Sequence, residues 1–293
     1  MTPSGAGPLA LAAGLGELRR FSRRGAAVVG AIILLIVAIL AVSGPALSPR
    51  DPLRMNPVEA LSPPSGAHPF GTDQYGRDVL SRVVAGARLS LFTGLGAVVI
   101  ALAGGLALGL VSGAAGGWVD LLVMRVVDVM MAFPSVLMAL VVVAIVGQGA
   151  ANVMVAVGVS LIPTFVRLVR GNVLVVREHA YVEAARALGC PPSRVTLQHI
   201  LPNIVAPVIV LATIAIAWSI IIGASLSFLG LGPRPPIPEW GVDLSNGRNY
   251  LLRGWWIAGG PGVAIMTTVV AVNLVGDTLR DVLDPRMRSL TNL

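Results

Sequence analysis

Long apolar stretches alternate with short charged segments along the chain, and this pattern predicts membrane-spanning helices. A helix needs about 20 apolar residues to cross the roughly 30 Å of hydrocarbon in a bilayer. Windows without charge occur at residues 25–49, 89–119, 129–166 and 255–276. A further window, 195–233, opens with prolines and polar residues, so only about 204–228 is expected to span.

The window 129–166 is too long for one crossing and just long enough for two. Gly147, Gln148, Gly149 and Asn152 lie near its midpoint and are typical of a turn. Six spans follow, and the predicted fold is an all-α integral membrane protein. The predicted organisation is a tail at 1–24, a first span with an outer loop at 25–90, a core of five transmembrane helices at 91–280, and a tail at 281–293.

The first span could instead be a signal peptide, because four arginines precede it. Its apolar stretch exceeds the roughly 7–15 residues of such a segment, which favours a retained membrane anchor.

Composition supports the membrane assignment. The chain has 293 residues, of which 55% are hydrophobic and 12% charged, against about 25% charged in soluble domains. Its net charge of +7 comes entirely from arginine, and these arginines flank apolar windows, so topology explains them better than nucleic-acid binding. One cysteine and three scattered histidines predict no disulfide, metal or cofactor site. Since no nucleophile–base set or phosphate loop occurs either, the chain is not expected to be an enzyme.

Arginine placement predicts the orientation. With a cytoplasmic N-terminus, thirteen of the 21 arginines lie on the inner side, as the positive-inside rule requires. Both termini and a loop at 167–203 are then cytoplasmic, and the loops at 48–90 and 229–254 face outward.

Smaller patterns give four further expectations. An amphipathic stretch that begins at Gly76 predicts an interfacial helix before the second span. The tryptophans at 240, 255 and 256 suit an aromatic belt. Arg125 and Asp128 share a helix face near the inner end of the third span, where a structural role is favoured over an ion relay. Within the second span, small-residue spacing predicts close helix packing at Gly104, Gly105, Gly109 and Gly113.

The inner loop at 177–203 predicts a polar helix–turn–helix that projects from the membrane. A helix from Glu178 to Leu188 ends at Gly189, a residue suited to the left-handed position after a helix. Two prolines stop it, and a second short helix from Ser193 is expected to stop before Pro202. Such a knob suits docking into a groove on another protein.

The residues of this loop resemble a known family. Glu183-Ala184-Ala185, then Gly189, then Ile200-Leu201-Pro202 are similar to the EAA loop of permease subunits in ATP-binding-cassette (ABC) importers. Segments 68–91, 120–140, 226–232 and 273–286 are similar to dipeptide, oligopeptide and nickel permeases in the same order. The resemblance covers about 69–286 and implies the type I ABC importer permease fold with six transmembrane helices.

The resemblance also implies a mechanism and partners. The chain would form half of a pathway for peptides in the inner membrane, paired with a second homologous permease, most simply as a heterodimer. Two cytoplasmic ATP-binding subunits would hydrolyse ATP, and an extracytoplasmic solute-binding protein would deliver the solute. The residues implied in coupling to the ATPases are Tyr181, Glu183, Ala184, Ala185, Arg186, Gly189, Ile200, Leu201 and Pro202.

Alternatives remain at this stage. The same machinery could carry nickel, a metal chelate or a glutathione-like solute. A stand-alone secondary transporter is a different class, but it needs midplane charges or broken helices, of which the sequence offers few. A non-transporting scaffold leaves the projecting helix unexplained.

Overall fold

The regular structure of the described residues is helical. The computed structural model describes residues 25–283, and in that range the only β-type pairing is one isolated bridge, between Thr72 and Asp78. The helices are α1 (Gly25–Leu47), α2 (Val79–Ala115), α3 (Gly117–Met131), α4 (Ser135–Val146), α5 (Ala150–Val176), α6 (Ala180–Ala187), α7 (Leu201–Phe228), α8 (Trp240–Gly247) and α9 (Trp255–Leu283).

The described helices account for the predicted spans. Five are long and apolar enough to cross a membrane, and the bent pair α3–α4 makes a sixth if it is one span. The all-α membrane fold is therefore confirmed. Below, the inner side is the end of the helices that carries α6, following the predicted orientation. The predicted tail at 1–24 lies outside the described residues, whereas the first three residues of the predicted tail at 281–293 belong to α9 and the rest lie outside.

The start of the second span differs from the prediction. The stretch after Gly76 is not a separate interfacial helix, because α2 begins at Val79 and continues unbroken to Ala115. Asp78 caps this helix, and its carboxylate accepts a hydrogen bond from the Ser81 N–H at 2.8 Å. With 37 residues and a rise of about 1.5 Å per residue, α2 is about 55 Å long, which exceeds the roughly 30 Å of hydrocarbon in a bilayer.

The segment predicted as the third span folds as two helices with a sharp bend between them, which the sequence did not predict. It begins at Gly117 rather than near residue 129, and α3 and α4 meet at an angle of 97°. Pro134 lies in this break, where its missing N–H and fixed φ end the helix. The predicted turn after this span is confirmed, because Gly147 and Gly149 adopt φ values of 98° and 136° between α4 and α5.

The inner loop also differs in one respect. The second short helix was expected to stop before Pro202, but the chain runs on through a π-helical turn, Val195–Ile200, into α7. The Leu201 N–H donates to the Thr196 carbonyl, five residues earlier. Pro202 lies at the start of α7, where a missing N–H is tolerated, so it joins two helical segments instead of separating them.

The packing of α2 on α5 depends on glycine. A Cβ atom on Gly105, Gly109 or Gly113 would lie 2.1, 2.6 or 2.7 Å from the nearest atom of Phe165, Val169 or Val173, respectively. One on Gly104 would lie 2.9 Å from Ile162. The small-residue interface predicted within the second span is therefore confirmed. It brings the two backbones together along the whole inner half of α2.

Gly105→Ala should destabilise the protein by about 1–3 kcal/mol, because the added methyl group overlaps Phe165. Gly171→Ala is the matched control, since a Cβ atom there meets no heavy atom within 4 Å. Thermal unfolding in detergent measures both variants. The control should equal or exceed the parent in stability, because alanine favours helix, and a Gly105→Ala variant as stable as the control would contradict the packing.

Candidate functional site

The helix α6 projects on the inner side but is held to the membrane helices by an apolar face. Val182 is fully buried and Ala185 is 92% buried. Both belong to one buried cluster with residues of α5, the π-helical turn and α7: Val169, Val173, Val176, Val195, Ile200, Ile204 and Val208. Burial of Val182 alone contributes about 1.5–3 kcal/mol, so α6 is an anchored element of the fold.

The end of α6 is fixed by Gly189, as predicted. Its φ of 79° is left-handed. The Cys190 N–H donates to the Ala185 carbonyl at 3.1 Å, and the Gly189 N–H donates to the Arg186 carbonyl at 2.9 Å. This is the Schellman arrangement, which satisfies the last carbonyls of a helix and turns the chain sharply. Since no atom lies within 4 Å of a Cβ atom at Gly189, backbone conformation alone demands glycine there.

The opposite face of α6 is open to solvent. Tyr181, Glu183, Ala184 and Arg186 are all exposed. Glu183 lies in the first turn of the helix, and no hydrogen bond or ion pair joins its carboxylate to another residue of 25–283. The exposed face therefore offers a carboxylate, a phenol and a guanidinium group beside a small alanine, which permits close approach of another surface.

The remaining predicted coupling residues connect this knob to α7. Ile200 is fully buried in the same cluster as Val182, and Leu201 is packed against that cluster. The Tyr181 hydroxyl donates weakly to the His199 carbonyl at 3.4 Å. Pro202 is exposed at the start of α7. The structure thus divides the predicted set into anchoring residues and exposed residues.

Two ion pairs tie the broken span to α5 on the inner side. Arg170 binds Asp120 with two nitrogens, at 2.5 and 2.6 Å, and Arg167 binds Asp128 at 2.7 Å. Asp128 therefore pairs across helices instead of with Arg125, its neighbour on the same face. A structural role for Asp128 is consistent with this geometry, since the pair fastens α3 to α5.

A buried polar cluster on the outer side was missed by sequence reasoning. Arg82 of α2 donates to Asp243 of α8 at 2.5 and 3.0 Å, and to the carbonyls of Pro52 and Pro236 at 3.3 and 3.2 Å. Glu239 caps α8 by accepting from the N–H groups of Gly241 and Val242. We call Arg82, Glu239 and Asp243 the outer cluster; it joins both outer loops to α2.

Two tryptophans support the same assembly. Trp240 is only 2% exposed, and its indole N–H donates to the Val83 carbonyl at 2.8 Å. The indole N–H of Trp256 donates to the Thr72 carbonyl at 3.0 Å. Neither fits the predicted aromatic belt, because each indole N–H has a partner inside the protein. Trp255, at 63% exposed, still suits that role.

The outer cluster lacked a decisive sequence signal. Arg82 and Asp243 lie 161 positions apart, so no local spacing reveals their pairing. The one local feature was Glu239, an acid immediately before a short segment that can form a helix, but glutamate is not among the usual N-cap residues and so did not mark a cap.

A family comparison identifies the chain. Residues 105–289 match the family described as binding-protein-dependent transport system inner membrane component. The chain belongs to this family. Residues 18–64 also match the N-terminal transmembrane domain of oligopeptide transport permease C. The protein is therefore a multi-pass inner-membrane permease subunit of an ABC importer, a transport component that works in a complex with other subunits.

Curated relatives agree with this assignment. The chain is 44% identical over 263 residues to a dipeptide transport system permease protein of Alkalihalophilus pseudofirmus, covering 90% of this chain and 86% of that protein. It is 44% identical to a glutathione transport system permease protein of Pectobacterium atrosepticum (92% and 90% covered). It is 42% identical to a di/tripeptide transport system permease protein of Pseudomonas aeruginosa (92% and 91% covered).

A solved structure shares the fold of this permease. The MetNI methionine ABC transporter, in inward-facing conformations, matches with a TM-score of 0.57 and 19% sequence identity. The match covers 69% of this chain and 96% of that chain. The predicted ABC importer permease fold is thereby confirmed.

Arg82→Gln should destabilise the permease by about 3–5 kcal/mol, the usual cost of removing one partner from a buried ion pair. Arg88→Gln is the matched control, because Arg88 is exposed on the same helix. Thermal unfolding of the purified protein at about pH 8 compares the two. Equal unfolding temperatures would contradict the role of the outer cluster.

The penalty of Arg82→Gln should also grow with pH. Burial raises the pKa of Asp243 from 3.8 to about 6, although Arg82 opposes that rise. The folded state therefore keeps this proton to higher pH than the unfolded chain, and the resulting stabilisation, complete below about pH 4, is lost as pH rises through about 6. Without Arg82, Asp243 should hold its proton to still higher pH. The free energy of unfolding of the variant should therefore continue to fall above about pH 6. An equal penalty at about pH 5 and about pH 8 would contradict this.

Proposed function

We propose that this permease forms half of a peptide pathway and couples to cytoplasmic ATPases through α6. The observation that carries the coupling role is the two-sided character of α6. One face is buried in the cluster that holds α5 and α7, and the other exposes Glu183 and Ala184. A force applied to the exposed face therefore moves the two spans with it.

ATP hydrolysis is assigned to two partner subunits. A groove on an ATPase that receives α6 could bind Glu183 through charge-assisted hydrogen bonds, and Ala184 lets the surfaces approach closely. The sharp exit at Gly189 keeps the following chain clear of such a groove. Ile200, Leu201 and Pro202 then return the chain into α7 without a flexible linker.

We assign peptides as the class of solute that this permease carries. Two of the relatives described above are named for dipeptide and di/tripeptide transport, which supports this class. A glutathione-like solute is the second candidate, because another relative of equal identity is named for glutathione transport. Glutathione is itself a tripeptide, so one pathway of similar size suits both.

The complex is completed by a second homologous permease and an extracytoplasmic solute-binding protein. Support for a second membrane subunit comes from α7, which leaves large apolar side chains exposed along its length. They include Val205, Ile209, Trp218 and Ile221. At the outer end of α7, a groove of about 440 Å³ lies beside Phe228 and Leu244, and it offers a wall to a pathway shared by two subunits.

The orientation is assigned with both termini in the cytoplasm. The arginine distribution supports it, and six spans, with α3–α4 counted as one, would place both termini on the same side. Single-cysteine labelling in a Cys190→Ser background tests it, with Tyr75→Cys and Glu183→Cys as the two probes. Tyr75 is 48% exposed on the outer side, so a membrane-impermeant reagent should label position 75 in intact cells and position 183 only after permeabilisation. Labelling of position 183 in intact cells would overturn the topology.

Glu183→Ala should reduce transport and ATPase co-purification sharply, because it removes a charge-assisted contact of about 1.5–3 kcal/mol. That energy corresponds to roughly a tenfold to hundredfold loss of affinity. Glu178→Ala is the matched control, since Glu178 is an exposed acid just before α6 that pairs with Arg177. Solute uptake and co-purified ATPase are measured for both variants. Wild-type values for Glu183→Ala would mean that α6 does not carry the contact.

Gly189→Val should impair coupling while leaving the spans inserted. A β-branched residue at a φ of 79° is strained by about 1–2 kcal/mol, so the end of α6 should loosen. Gly189→Asn is the control, because asparagine tolerates the left-handed conformation. Uptake by the asparagine variant should stay close to that of the parent. If both variants transport equally well, the conformation of Gly189 has no part in coupling.

A further inference from the structure

A groove on the inner side remains without an assigned role. It has a volume of about 590 Å³ and lies between the last turns of α2 and the segment that follows α6. Its walls are apolar and include Leu110, Val111 and Ala114 of α2 and, opposite them, Leu197. Val111 and Leu197 are both more than half exposed, so these walls are open to whatever surrounds the protein.

Two arginines line this groove, and one of them, Arg186, gives it an uncompensated positive charge. Arg177 is held in place, because it donates to the Gly113 carbonyl at 3.4 Å and to Glu178 at 2.9 Å. Arg186 is exposed, and its guanidinium group has no hydrogen bond or ion pair with another residue of 25–283. No acidic side chain lines the groove, so Arg186 lacks a counter-ion within it.

We infer that this groove binds one anionic phospholipid, with the phosphate on Arg186 and an acyl chain along α2. The positive charge favours an anionic ligand. The apolar wall favours a ligand that also carries a hydrocarbon chain. The wall belongs to a membrane-spanning helix, so a lipid can enter from the bilayer without leaving it. Basic pockets between membrane helices bind anionic headgroups in this manner.

The bound lipid would bridge α2 and α6. Its headgroup contacts the helix assigned to coupling, and its chain contacts the helix that packs on α5. The groove has the volume of an ordinary ligand site, about 300–1,000 Å³. The lipid therefore fills a gap that the chain leaves beside the anchor of α6. This inference concerns lipid occupancy, which is measured separately from transport or ATPase binding.

Native mass spectrometry of the complex, purified through a tag on this chain from nanodiscs of phosphatidylglycerol and phosphatidylcholine, tests the inference. The parent should retain one phosphatidylglycerol per copy. Arg186→Gln should reduce retention about fivefold, since one arginine near a phosphate contributes about that factor. Ala114→Phe, which fills the exposed wall, should reduce it at least as much.

Matched controls separate this site from general surface charge. Arg194→Gln removes an exposed arginine of the same loop outside the groove, and Ala103→Phe adds a ring to an exposed position of α2 outside it. Both should retain lipid as the parent does. Equal retention in all variants would overturn the inference. Loss of lipid with Arg186→Gln but not with Ala114→Phe would also overturn the inference. That result would indicate a headgroup bound at the surface and no acyl chain in the groove.

Discussion

The close approach of α2 and α5 is the constraint on which the rest of the structure depends. Three glycines of α2 meet Phe165, Val169 and Val173 at distances that leave no room for a side chain. In a bilayer, where apolar burial between helices gains little over contact with lipid, such tight packing is a principal source of helix association. This packing fixes the inner end of α5. The positions of the segments that follow α5, including α6, depend on it.

The fixed end of α5 explains how a short helix outside the membrane can act mechanically. Only a few residues separate α5 from α6, and Val182 returns into the cluster that Val173 and Val176 begin. The continuous π-helical turn then carries the chain into α7. An eight-residue helix has little stability of its own, so its rigidity comes from these two attachments. The outer cluster has a comparable role at the other end of α2, where Arg82 donates hydrogen bonds to both outer loops.

The features that the sequence predicted are those encoded locally. Apolar length located the spans, paired glycines located the turn at 147–149, and Gly189 marked the end of α6. The family resemblance supplied the proposed coupling residues, because their spacing is also local. What was missed depends on distant partners or on context. Arg82 and Asp243 are far apart in the chain and pair only in the folded protein. Trp240 and Trp256 are buried because loops cover them. Pro202 continues a helix because a wider turn precedes it, and Asp120 and Asp128 of α3 pair with arginines of α5 that lie 50 and 39 positions away.

Site-specific cross-linking is the sharpest test that α6 is the rigid contact between this permease and its ATPase. A photoreactive amino acid is placed at position 183, with position 252 as the control, since Leu252 is fully exposed in the outer loop. In membranes that contain the whole transporter, position 183 should cross-link to an ATP-binding subunit, and position 252 should not. Absence of that product at position 183, with the complex intact, would contradict the account.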